Sequence, residues 1–159
     1  MKIFKIILLI LMIVFVGIQF VPTKRNQTDN VPNTDFMIVN NLPIKIQNTL
    51  QTSCYDCHSN NTSYPWYNKV QPVAWLLENH IEEGKSELNF SEWDNYSDRR
   101  KRSKLKSIIS QIEDDKMPLD SYTLIHRNAI LSSEKKKEII NCITKIKIDK
   151  GLKAKALAL

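Results

Sequence analysis

The sequence predicts an all-α fold, on three observations. Lysine, isoleucine, leucine and asparagine dominate its 159 residues, a composition suited to helices joined by polar loops. Only three glycines and 8% aromatic residues are present, which argues against a β-sandwich or a collagen-like chain. From residue 43 onward, apolar side chains recur at helical spacing in segments parted by Pro, Asn and Ser. A chain of this length, less an apolar N-terminal stretch, can close one small domain around one core.

The elements follow in order. Lys2 and Lys5 lead a run from Ile6 to Val21 that carries no charge. Counted from Ile3 it makes about 19 helical residues, or about 28 Å, close to one hydrocarbon core. No Ala-x-Ala pattern and no lipobox cysteine follows, so an uncleaved signal anchor, a transmembrane helix over residues 1–21, is expected. Lys24 and Arg25 nearly balance the N-terminal lysines, so flanking charge does not set its orientation. Residues 22–42, punctuated by Pro22, Asn26, Asn30, Pro32 and Asn33, read as a linker.

Pro43 suits the first turn of a helix on which Ile46, Leu50 and Cys54 share a face. A polar loop then turns into Tyr64-Pro65-Trp66-Tyr67. The next helix is expected from Pro72 to about Gly84, with the proline in its first turn and the glycine just past its end. Leu88 to Trp93 form a compact element in which Ser91 can cap a short turn. A longer helix from Asp98 to about Asp115 carries Leu105, Ile108, Ile109 and Ile112 as its stripe. The cations Arg99 to Lys104 crowd its first turns, against the helix dipole, and the sequence offers no structural reason for them. A short helix falls within 121–131. Ser132-Ser133-Glu134 signals the start of a last helix to about Lys147, with Ile139, Ile143 and Ile146 as its stripe. The domain is thus bounded at 43–148, and 149–159 reads as a flexible tail.

Cys54-Tyr55-Asp56-Cys57-His58 carries the chemistry. Cys-x-x-Cys-His is the attachment signature of c-type haem. Two thiols add across the two vinyl groups on one porphyrin edge, and a two-residue spacer on a helical turn sets both sulfurs on one side of the backbone. The adjacent histidine then turns its imidazole under the ring as proximal iron ligand. Cys-x-x-Cys alone also serves thioredoxin-like centres and zinc sites. The first wants a strand before the motif, and the chain has none in view. The second wants four closed ligands, and Cys142 and His80 would have to be recruited singly. Cys142 otherwise sits among Ile139, Ile140 and Ile143 as a small buried apolar residue.

For the iron's sixth position Met117 is the leading candidate. Pro118 holds it extended at a helix exit, where a thioether can project from a loop across a crevice. His80 and His126 are its rivals, and Met37 is a conceivable but weaker choice, better read as packing. Trp66, Trp75 and Phe90 are candidate walls that exclude water. The formal charge of +6 is concentrated at 99–106, at 135–137 and in the tail; no nucleic-acid motif accompanies it, so no nucleic-acid partner is expected.

Taken together these residues resemble a family of small, membrane-anchored bacterial haem-binding domains with a Cys-x-x-Cys-His motif. The resemblance runs from about Leu42 to Ile146. It rests on Cys54–Asn61, Tyr64-Pro65-Trp66-Tyr67, Gln71-Pro72-Val73, His80–Lys85, Leu88–Trp93 and Met117-Pro118-Leu119 with Tyr122. It implies c-type haem and redox work without naming a reaction. The order of attachment motif, Met-Pro and closing helix is also similar to class I cytochrome c. By that likeness the fold would be cytochrome c-like, and the carbonyl of Pro65 or Pro72 would hold the proximal His58.

The expectation is therefore a membrane-tethered monohaem electron carrier with one covalent haem c. Cys54 and Cys57 would form the thioethers, His58 and Met117 would bind iron, and Trp66, Pro72 and Trp75 would complete the cofactor site. The alternatives are a haem-based sensor with an open sixth position, or a small peroxidase-like protein using His80 or His126 as acid–base group. Haem attachment takes place outside the cytoplasmic membrane, which would put the domain in the periplasm on a single-pass anchor. Redox partners are not legible.

Overall fold

The computed structural model describes residues 1–28 and 30–156, with side chains given to residue 148. Among the described residues there are eight α-helices, three short 3-10 turns and no strand, so the all-α expectation holds. Helix α1 (Lys2–Ile18) stands apart, with none of its residues buried. It is followed by α2 (Phe36–Val39), α3 (Ile44–Ser53), α4 (Tyr55–His58), α5 (Val73–Glu87), α6 (Asp98–Glu113), α7 (Asp120–Thr123) and α8 (Ser133–Ala156). The flexible tail expected at 149–159 lies outside the residues whose side chains are described.

The core forms where the apolar stripes meet. Leu105 and Ile112 of α6 pack against Ile139 and Ile143 of α8, while Ile46 and Leu50 of α3 close the other side. Behind residues 54–58 lies an aromatic cluster. Phe36 meets Trp93 edge-on at 4.7 Å and Phe90 at 5.2 Å, and Tyr55 stacks on Phe90 at 4.9 Å. Offset and edge-on ring pairs at such separations add specific attraction to the area they bury.

Three expectations need correction. The N-terminal helix stops at Ile18 and closes in tighter turns, the Gln19, Phe20 and Val21 amides donating to the Val16, Gly17 and Ile18 carbonyls; the Gln19 side chain reaches Gln71, its Oε1 accepting from the Gln71 amide at 2.9 Å and its Nε2 donating to the Gln71 carbonyl at 3.2 Å. At 17 residues α1 is shorter than the expected span, and no helix among the described residues is long and apolar enough to cross a membrane. Second, the end of the expected 22–42 linker is packed into the domain. Phe36, Met37 and Leu42 belong to the core, and Asp35 caps α2 by accepting from the Met37 amide at 2.8 Å. Met37 is thus a packing residue. Third, Gly84 lies inside α5, which runs on to Glu87.

The cations at the start of α6 also find a reason. Ser97 caps the helix, accepting from the Arg100 amide at 3.3 Å, and Asp98 supplies a carboxylate in the first turn. Arg100 covers the Tyr96 ring at 4.3 Å, and the buried Lys101 reaches Asp94 Oδ1 at 2.6 Å and its carbonyl at 3.0 Å. These groups are held by neighbours rather than by the helix.

Candidate functional site

The short helix α4 is one turn long, begun where Cys54 breaks from α3. The Cys57 and His58 amides both return to the Cys54 carbonyl, at 3.3 and 3.0 Å, which puts the motif on a single helical turn. Helix α5 crosses directly over it. Gly84 sits at the crossing, and its missing side chain lets the α5 backbone touch Cys57. That approach brings two carbonyls of the α5 C-terminal end to His58, whose Nδ1 lies 2.8 Å from Gly84 O and 3.0 Å from Leu88 O. Carbonyls only accept, so Nδ1 carries the proton and Nε2 is left as the basic nitrogen. Burial pushes His58 below the ordinary histidine pKa, favouring the neutral ring that a metal ligand must be.

His58 faces two adjoining cavities. The first, about 250 Å³, is bounded by Cys54, Cys57 and His58 on one side and by Met117, Pro118 and Leu119 on another. Helix α5 contributes His80, Glu83, Gly84 and Glu87, one face of the helix. The second, about 330 Å³, shares Cys54, His58 and Met117 and adds Phe90, Lys104, Ile108 and Ile112. Together they fall in the size range of ligand sites, about 300–1,000 Å³, and their walls are largely apolar. Both thiols are free, and burial raises them, Cys54 to about 12 and Cys57 to about 11, so they are protonated at neutral pH.

Of the residues expected at the site, Cys54, Cys57, His58, Met117 and His80 share one cavity. Three others are placed elsewhere. Trp75 is five residues before His80, about 140° round the helix, and it faces a separate crevice lined by residues 22–26. Trp66 is 79% exposed on a 3-10 turn, and Pro72 is exposed at the α5 N-terminus. The carbonyls on His58 come from Gly84 and Leu88, which displaces both Pro65 and Pro72 from that role. His126 lies off the cavity, its Nε2 2.8 Å from the Tyr67 hydroxyl and its ring stacked on Tyr122 at 4.4 Å. Cys142 is half-buried at the edge of the core. No group of three or more His, Cys, Asp or Glu side chains able to hold a metal ion occurs among the described residues.

A family model described as a haem-binding domain matches residues 13–145. The chain belongs to this haem-binding domain family. No curated protein and no solved structure matches it.

Membership makes haem the group against which the cavity is to be judged. A haem-binding domain needs a neutral imidazole with one free nitrogen, apolar walls and a second face; His58 Nε2, the shared cavity and the Met117 side provide these. Sequence reasoning missed the supporting residues. Asp56, between the cysteines, accepts from the Tyr122 hydroxyl at 2.7 Å and from the Ser63 amide at 3.0 Å. Tyr55, the other spacer residue, donates to the buried Asp35 at 2.9 Å. A carboxylate inside the motif was the only available signal for the first, and an Asp placed before Phe36-Met37 for the second.

Proposed function

We propose that the chain is a c-type haem protein in which Cys54 and Cys57 hold one haem by thioether bonds and His58 Nε2 is the proximal iron ligand. The observation that carries this is the grip of the Gly84 and Leu88 carbonyls on His58 Nδ1, which turns the opposite nitrogen into a ligand beside two unpaired thiols. Met117, across the same cavity, would take the sixth position, and a soft thioether there favours the ferrous state. Haem supplies an iron that changes charge by one electron; the protein's part is to bind it, exclude water and set its potential. With both faces filled from the chain, electron transfer is the activity that fits best.

Location follows from the attachment chemistry. Thioether formation outside the cytoplasmic membrane would put the domain in the periplasm, and α1, apolar and exposed along its length, would tether it to the bilayer. His80 on the same cavity wall supports a second reading, a sensor or peroxidase-like protein in which a histidine attends an open sixth position.

Haem staining tests the primary reading. Produced with a haem-maturation system, the protein is expected to keep its haem through denaturing electrophoresis, and Cys54→Ala with Cys57→Ala to lose it. Haem that dissociates from the wild type under denaturing conditions refutes covalent attachment. Tethering is checked by retention with membranes after a high-salt wash, which removes proteins held by surface charge alone.

A further inference from the structure

The wall that bears Met117 is fastened at both ends. At its start, α6 closes with Asp115 in the left-handed region (φ 56°), and the Lys116 and Met117 amides donate to the Gln111 carbonyl at 2.9 and 3.2 Å. At its end comes α7, a four-residue helix with no buried side chain. So short a helix has no stability of its own, and Leu119 before it is only partly covered, at 37% exposed. The Tyr122 side chain is what returns it to the domain. Its hydroxyl donates to Asp56 Oδ2 at 2.7 Å and lies 3.3 Å from the Thr52 carbonyl, while the back of its ring rests on His126.

The acceptor's position matters. Asp56 stands between Cys54 and Cys57, on the same turn as His58, and its other oxygen is fixed by the Ser63 amide at 3.0 Å. The turn that presents the cysteines and His58 is therefore also the anchor for the opposite wall of the cavity. A hydroxyl bound to a carboxylate is among the stronger hydrogen bonds a side chain makes.

We propose that Asp56 and Tyr122 are positioning residues, a latch that holds the Met117–Leu119 wall over the cavity and so keeps the sixth iron position filled. This rests on the reading of the cavity as a c-type haem site. The latch touches neither the iron nor its ligands; it acts by setting how often the Met117 wall stands open.

The test uses the full-length protein with haem attached, reading carbon monoxide association to the ferrous form and the weak near-infrared sulfur-to-iron band of the ferric form. Tyr122→Phe removes only the hydroxyl, and is expected to speed carbon monoxide association about ten-fold or more, as loss of a charge-assisted hydrogen bond allows, and to weaken the band. Asp56→Ala, which also frees the Ser63 amide, is expected to do at least as much, and adding Tyr122→Phe to it is expected to bring no further increase, since the bond between the two is already gone. Asp56→Asn keeps one acceptor but loses the charge and turns the other accepting oxygen into a donor, so it is expected to fall between wild type and Asp56→Ala. Thermal unfolding of each variant separates the latch from general damage: the ten-fold effect is expected in Tyr122→Phe with a melting temperature lowered by only a few degrees and an unfolding transition as cooperative as that of wild type. Wild-type carbon monoxide kinetics in Tyr122→Phe, or additive effects in the double variant, overturn the latch alone. A wild type without covalent haem overturns the site reading as well.

Discussion

Gly84 and Cys57 meet with no room between them: a Cβ at residue 84 would lie 2.7 Å from the Cys57 carbonyl oxygen and 3.2 Å from its Cβ. Neither atom belongs to the end of a flexible side chain, so a methyl group there has to part α5 from α4. Gly84→Ala would gain about 1 kcal/mol in helix propensity, yet the forced separation costs about 1–3 kcal/mol, and more if the His58 bond to Gly84 O is stretched. The expected outcome is a net loss of stability, read as a lower urea midpoint with unchanged m. A midpoint at or above wild type would mean that the two helices slide apart without cost.

Asp35 is 1% exposed and makes two hydrogen bonds, to the Met37 amide and the Tyr55 hydroxyl. Asp35→Ala loses a helix cap and strands a buried hydroxyl, for about 2–4 kcal/mol in denaturant unfolding. Burial holds its carboxyl above the ordinary 3.8. A raised folded value means that the native state keeps the proton longer, so this group's contribution is whole below 3.8 and is lost as pH rises through the raised value. Wild-type stability is expected to carry that falling component over the acid range, and Asp35→Ala to lack it. Parallel stability–pH curves for the two proteins would contradict this.

The cysteines give a chemical signature. In haem-free folded protein, thiols raised to about 12 and 11 hold little thiolate near neutral pH. Alkylation of Cys54 and Cys57 is therefore expected to be at least about ten-fold slower than in urea, and to accelerate with pH. In haem-loaded protein, urea is expected to expose only Cys142 to the reagent, as peptide mass mapping reports. Labelling of Cys54 or Cys57 in the loaded, denatured protein would rule out thioethers.

Met117→Ala is expected to abolish the near-infrared sulfur-to-iron band and to open the iron to carbon monoxide. His126→Ala leaves the band in place, because that ring is engaged by Tyr67 and Tyr122 away from the cavity. His80→Ala is the discriminating variant, since His80 lines the same cavity. A wild type without the band, together with opening on His80→Ala, would make the site bis-histidine.

What was legible in the sequence is what short-range periodicity records. Leu105, Ile112, Ile139 and Ile143 are buried because a stripe at helical spacing has one side to hide, whatever it packs against. Cys54, Cys57 and His58 are a local motif, and Met117 announces itself by the proline after it. The grip on His58 was not legible, because a backbone carbonyl is common to every residue and only the crossing of α5 over α4 selects Gly84 and Leu88. The helix-stop reading of Gly84 followed the commoner use of glycine; here close approach won. Trp66, Pro72 and Trp75 lie near the motif in sequence, but helix phase and exposure turn them from the cavity.

Asn26 ties the stretch after α1 to the domain through both its backbone and its side chain. Its amide donates to the Tyr64 hydroxyl, its carbonyl accepts from the Thr62 amide, its side-chain nitrogen donates to the Ser59 carbonyl and to Thr62, and its side-chain oxygen accepts from Lys85. With Gln19 paired to Gln71 a few residues earlier, the stretch after α1 has no slack to pay out. If α1 sits in a bilayer, the domain is bolted at one height and one orientation above it, and cannot shuttle on a leash. A partner would then have to travel to it, and meet it in the pose this bracket dictates.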